Sequence, residues 1–146
     1  MSDQVRIVLV ILEDTHGRVA LQLRSPLANI ANPDHWGLFG GHVDPGEDDA
    51  TAARREVEEE LSCLLDSAKM RYLRNLDRLA TKIYLVFHYK VNKELDRAQL
   101  TEGERWSLFS PAQIMLGSIE GKPVVPHHLD CSRTFGLNFA LHERKG

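Results

Sequence analysis

Glu47, Arg55, Glu56, Glu59 and Glu60 have residue types and a spacing that can do chemistry. The stretch Gly41–Cys63, GHVDPGEDDATAARREVEEELSC, runs from a turn holding Pro45-Gly46 into residues with neither Gly nor Pro. That composition predicts a loop feeding a helix from about Asp48 to Leu61, capped by Asp48 or Asp49. At about 100° per residue, Glu56, Glu59 and Glu60 share one side, Ala53, Val57 and Leu61 form an adjoining apolar stripe, and Glu58 points elsewhere. Like charges at these spacings repel by roughly 0.2–0.5 kcal/mol per pair, and a divalent cation would offset the crowding. Oxygen-only donors suit Mg²⁺ or Mn²⁺ better than zinc. A solvated acidic helix face is the competing reading.

Elements on either side must hold this helix. Val5 to Leu12 is a nearly unbroken aliphatic run, the pattern of a strand buried on both faces. Thr15-His16-Gly17 reads as a turn, and Arg18 to Arg24 alternates Val19, Leu21 and Leu23 against Ala20 and Gln22, as the partner strand of a hairpin would. Ser25 to His35 has loop composition, and Trp36 to Phe39 is a short strand delivering the chain into Gly40-Gly41. Met70 to Leu79 and Ala80 to Val91 read as strands, and Asn92 to Gly103 is turn-rich. Arg105 to Phe109 is a last short strand, and Ser110-Pro111 opens a helix through Met115. A stretch from Leu129 to His142 can set Cys131, Phe135 and Phe139 on one helical face, which predicts a core-facing helix. Strands around a central helix with a second helix at the end give an α/β sandwich, a mixed sheet between helical layers.

Composition bounds the function. A chain of 146 residues with 42% hydrophobic and 27% charged content reads as one globular domain over residues 1–146. A net charge of −3 speaks against broad nucleic-acid binding, which wants a basic patch, and leaves small charged ligands open. Cys63 and Cys131 lie far apart in no CxxC arrangement, so buried reduced thiols are expected. No apolar run is long enough to span a membrane and no signal-peptide pattern is present, which predicts a cytoplasmic protein without a membrane partner.

The wider spacing narrows the field. Gly41, Glu47, Arg55-Glu56, Val57, Glu59-Glu60 and Leu61 stand at the positions of the Nudix box: a Gly, five residues, Glu, seven residues, Arg-Glu, an aliphatic, any residue, Glu-Glu, any residue, Gly and an aliphatic. Ser62 occupies the place of the second motif Gly, and Cys63 the apolar end. The chain thus resembles the Nudix hydrolase family, with Phe39 where those sequences usually carry Pro. So many fixed positions make a specific signature.

The resemblance implies an α/β/α fold and Mg²⁺- or Mn²⁺-assisted attack of water on a pyrophosphate phosphorus. It makes Glu56, Glu59 and Glu60 the metal and base cluster, without saying which Glu is the base. It makes Arg55 the arginine that orients the helix carboxylates, with Glu47 as its ion partner. A further carboxylate from an outside loop is implied, with Glu102 preferred over Glu104 for the metal. Gly40 and Gly41 allow close backbone approach to substrate. Trp36 joins them on the substrate side, with stacking on a nucleobase set against core packing. His127-His128 are better suited to surface or capping roles than to metal, and Arg24, Arg78 and Lys82 are basic residues that could meet phosphates.

Subgroup markers are missing. Leu79 stands where ADP-ribose hydrolases tend to have Pro, and Ala80 and Thr81 where dinucleoside polyphosphate hydrolases have Tyr. The SQPWPFPxS array of NADH-type members is also absent. The remaining expectation is a small (d)NTP, with a nucleotide sugar or another nucleoside diphosphate derivative next and a non-catalytic nucleotide-sensing module third. Homodimer formation is an open possibility of the same reading.

Overall fold

A computed structural model describes residues 4–26, 32–79, 81–101, 103–126 and 128–129. The elements are β1 (Val5–Glu13), β2 (Val19–Leu23), β3 (Trp36–Gly37), β4 (Phe39–His42), α1 (Asp49–Leu61), β5 (Arg71–Leu79), β6 (Lys82–Lys90), β7 (Arg105–Phe109), α2 (Pro111–Met115), β8 (Ser118–Ile119) and β9 (Lys122–Pro123). The first seven strands form one mixed sheet. β1 runs parallel to β6 along its whole length, from Val5↔Lys82 to Glu13↔Lys90, and antiparallel to β4 from Ile7↔His42 to Val10↔Phe39. From Val8 onward the strand is buried on both faces, which explains the Val/Ile/Leu run.

Alternation along the strands sorts the interior into two cores. Val8, Val10, Leu12, Leu85, Phe87 and Tyr89 pack on one face with Ala52, Ala53, Val57 and Leu61 of α1. Leu9, Ile11, Tyr84 and Val86 pack on the other with Phe109, Ile114 of α2, Ile119 and Val124. The fold is therefore the expected α/β sandwich around a mixed sheet.

The expected hairpin is reduced to one register pair, Glu13↔Val19. β2 instead pairs along its whole length with β7, from Val19↔Phe109 to Leu23↔Arg105, and with β3 at its end. The alternation correctly assigned the faces of β2, but faces do not choose edge partners. Trp36 to Phe39 divides into β3 and β4, and the β8–β9 hairpin was not foreseen, since two-residue strands have no period to read. The helix expected over Leu129 to His142 lies outside the described residues apart from its first. Among those residues, no helix is long and apolar enough to cross a membrane.

Candidate active site

α1 begins where Asp48, in extended conformation, accepts from the Thr51 N–H at 3.3 Å. This is a standard N-cap contact for Asp. It ends at Ser62, whose φ of 51° and ψ of 39° are left-handed, the conformation the motif's Gly would adopt at less cost. The orphaned carbonyls of the last turn are met by the turn-rich loop. The Thr101 hydroxyl donates to Glu59 O at 2.8 Å, its N–H to Glu60 O at 2.9 Å, and the Gln99 N–H to Leu61 O at 2.8 Å. The loop before β7 is thereby fastened to the acidic end of the helix.

Arg55 is the hub of the charged face. Nε donates to Glu47 Oε2 at 2.7 Å and Nη2 to Glu47 Oε1 at 2.9 Å, a bidentate pair, while Nη1 donates to Glu56 Oε1 at 3.0 Å and reaches Glu59 at 3.3 Å. Nη2 also donates to the His42 carbonyl at 3.1 Å, tying the helix to the end of β4. The Arg55 side-chain bonds, with the Asp44 N–H behind them, hold the Glu47 carboxyl down to about 2. The same bonds with Glu47 raise the Arg55 guanidinium. Glu56 goes the other way: burial pushes its carboxyl up, against the lowering influence of Arg55. A carboxylate so placed is a better proton acceptor than an exposed one.

Glu60 is held by different means. Its Oε1 accepts from the Gly40 N–H at 3.0 Å and its Oε2 from Gln22 Nε2 at 2.6 Å. Glycine is needed on β4 for two separate reasons. A Cβ on Gly40, where φ is 155°, would stand 1.9 Å from the Val8 carbonyl oxygen; one on Gly41 would stand 2.5 Å from Glu56 Cδ. Gly40 thus permits the β1–β4 pairing, and Gly41 makes room for the Glu56 carboxylate. Glu56, Glu59, Glu60 and Gly40 line one open cleft of about 190 Å³, with Gln22, Arg24 and Thr101 on its other walls.

Expected residues outside the cleft are redistributed. Trp36, placed on the substrate side from sequence, is fully buried: its indole N–H donates to Ile119 O at 3.1 Å and its ring packs edge-on against Phe109 at 4.9 Å. Phe39 is likewise fully buried in the core on the α1 side. Both answer to packing, because each is the inward residue of a short strand. Glu104 is exposed and its N–H donates to Leu23 O; Glu102 lies outside the described residues. His128, expected at the surface or in a cap, is buried and accepts from the Leu38 N–H at 3.0 Å through Nδ1. Glu58 does point away, accepting from the Leu65 N–H at 2.9 Å. Gln22 and Thr101 were missed; a lone polar residue on the helix-facing side of an otherwise aliphatic β2 was the signal for the first.

Among the described residues, no three His, Cys, Asp or Glu side chains stand close enough to chelate a metal as they are. The donor chemistry nevertheless fits a hard divalent cation. Three carboxylates line one cleft, and the absence of a side chain on Gly41 lets the Glu56 carboxylate take its place there.

The chain shares its fold with solved structures. A mutT/nudix family protein from Listeria innocua superposes with a TM-score of 0.74 at 22% identity, over 99% of this chain and 98% of that one. A Deinococcus radiodurans protein gives 0.75 at 20% identity, over 90% and 83%. A MutT protein from Methanosarcina mazei gives 0.68 at 21% identity, over 94% and 96%. No curated protein matches in sequence. The model of the NUDIX domain matches residues 3–128, which span the sheet, α1 and its carboxylates. The chain therefore belongs to the NUDIX domain family and is a Nudix-type pyrophosphohydrolase.

Proposed function

We propose that the substrate is a small nucleoside triphosphate, ribo- or deoxyribo-, cleaved to a monophosphate and pyrophosphate with a divalent cation, Mg²⁺ or Mn²⁺. The observation that carries this reading is the convergence of Glu56, Glu59 and Glu60 on one open cleft beside the Gly40 backbone. Glu56, Glu59 and Glu60 would hold the cation, with Glu102 as the expected further carboxylate. When bound, such a cation neutralises phosphate charge and makes water a better nucleophile at neutral pH.

Water forms the new P–O bond, the bridging P–O bond breaks, and its electron pair leaves with the departing phosphate oxygen. The proton released by water passes to a carboxylate of the cleft. Burial makes Glu56 suited to receive it, and Glu59, 60% exposed, is the more solvated alternative. Arg55 keeps both carboxylates on the cleft side of α1 through Nη1.

The triphosphate choice is supported by the missing markers of other subgroups and by likeness to structures named MutT from Methanosarcina mazei and Aliivibrio salmonicida. A nucleotide sugar or another nucleoside diphosphate derivative is the second reading. The test is product analysis over nucleoside triphosphates, nucleotide sugars, ADP-ribose and dinucleoside polyphosphates, with Mg²⁺ or Mn²⁺ and with EDTA. Pyrophosphate released from a triphosphate supports the proposal; metal-dependent turnover confined to nucleotide sugars overturns its substrate half.

A further inference from the structure

Gln22 belongs to none of the motif positions, yet it reaches the cluster from the sheet. On β2, Val19, Leu21 and Leu23 face the core opposite α1, while Ala20 packs on the α1 side, so Gln22 also projects toward the helix. It is 5% exposed, and its Nε2 donates to Glu60 Oε2 at 2.6 Å. Its Oε1 lies where Gly103 passes, 3.2 Å from the position a Cβ there would take, and Gly103 has a left-handed φ of 86°. That backbone conformation favours glycine, and a side chain here would crowd the amide.

The consequence concerns how the three carboxylates are held. Glu56 and Glu59 are oriented by a guanidinium, which competes for their charge. Glu60 receives one bond from the Gly40 N–H and one from the Gln22 amide. Both of these donors are neutral, and together they fix the direction of the carboxylate. An outer partner of this kind sets the geometry and affinity of a metal ligand, and losing one typically weakens binding about 10–100-fold.

We propose that Gln22 is a positioning residue for the divalent cation, acting through Glu60. The inference rests on Glu60 being a ligand. It does not require Gln22 to touch substrate or metal.

The test is Mn²⁺ affinity of the substrate-free protein, read by the loss of free-ion electron paramagnetic resonance signal, for wild type, Gln22→Met, Glu60→Gln and the double variant. Gln22→Met keeps the shape and removes the donor. It should weaken Mn²⁺ about tenfold, raise the Mg²⁺ concentration needed for half-maximal turnover by a similar factor, and leave kcat at saturating Mg²⁺ near wild type. In the Glu60→Gln background it should add almost nothing, because the two act as one unit. Gln22→Asn keeps an amide one methylene short of Glu60; it should behave like Gln22→Met and serves if that variant does not fold. Full wild-type affinity in Gln22→Met or Gln22→Asn, with Glu60→Gln weakened, overturns the role of Gln22 alone. Unchanged affinity in Glu60→Gln overturns the metal assignment and this inference with it.

Discussion

Arg55 and Glu47, eight residues apart, are joined by two parallel bonds of 2.7 and 2.9 Å. The pair binds the loop after β4 to the helix that carries the cluster. It also leaves Nη1 free to face Glu56 and Glu59. The motif's arginine therefore works as a bracket between loop and helix.

The bracket has a pH signature. The Glu47 carboxyl titrates near 4.5 when unfolded and about 2 when folded, so its stabilising contribution is complete above about pH 4.5 and lost as pH falls toward 2. Glu47→Gln should therefore lower Tm at pH 7, and the gap from wild type should close between pH 4.5 and 2. Thermal melts across that range check it; a gap that stays constant contradicts the role of the charge.

Glu56 should separate activity from stability. Its raised pKa means that the fold disfavours the charged form, so neutralising it relieves a burial cost. Glu56→Gln is expected to lose at least about 100-fold in turnover while melting no lower than wild type at pH 7. Calorimetry beside steady-state kinetics tests both halves, and a drop of several degrees would show that Glu56 is structural.

Ser62 bears a cost that glycine would not. A left-handed non-glycine residue costs about 1 kcal/mol or more, so Ser62→Gly should stabilise by about 1 kcal/mol, about 2–4 °C in Tm, with unchanged kinetics. Denaturant titration measures it directly.

The two glycines of β4 should fail differently. Gly40→Ala drives a methyl into the Val8 carbonyl and should prevent folding; Gly41→Ala meets a carboxylate that can swing aside, so it should fold and lose activity. Circular dichroism and turnover on both variants distinguish these outcomes.

Much of this was readable in advance. α1 starts and stops within a residue of where composition placed it, because Asp48, the Gly/Pro-free run and the apolar stripe agree. β7 and the Ser110 cap of α2 also follow their signals, the latter as a full capping box with Gln113. Long-range choices were not readable. The pairing of β2 with β7, the burial of Trp36 and the Gln22–Glu60 bond depend on elements brought together across the chain, about which local periodicity is silent. His128 shows the same limit, a surface residue by sequence habit that accepts a buried backbone N–H some ninety residues away.

The most direct test of the account is Mg²⁺-dependent release of pyrophosphate from nucleoside triphosphates by wild type and Glu59→Gln, with nucleotide binding measured in parallel. The account predicts turnover abolished by EDTA and reduced at least about 100-fold in Glu59→Gln, with nucleotide still bound. Wild-type nucleotide binding without turnover of any pyrophosphate linkage would contradict it and leave a sensing module in its place.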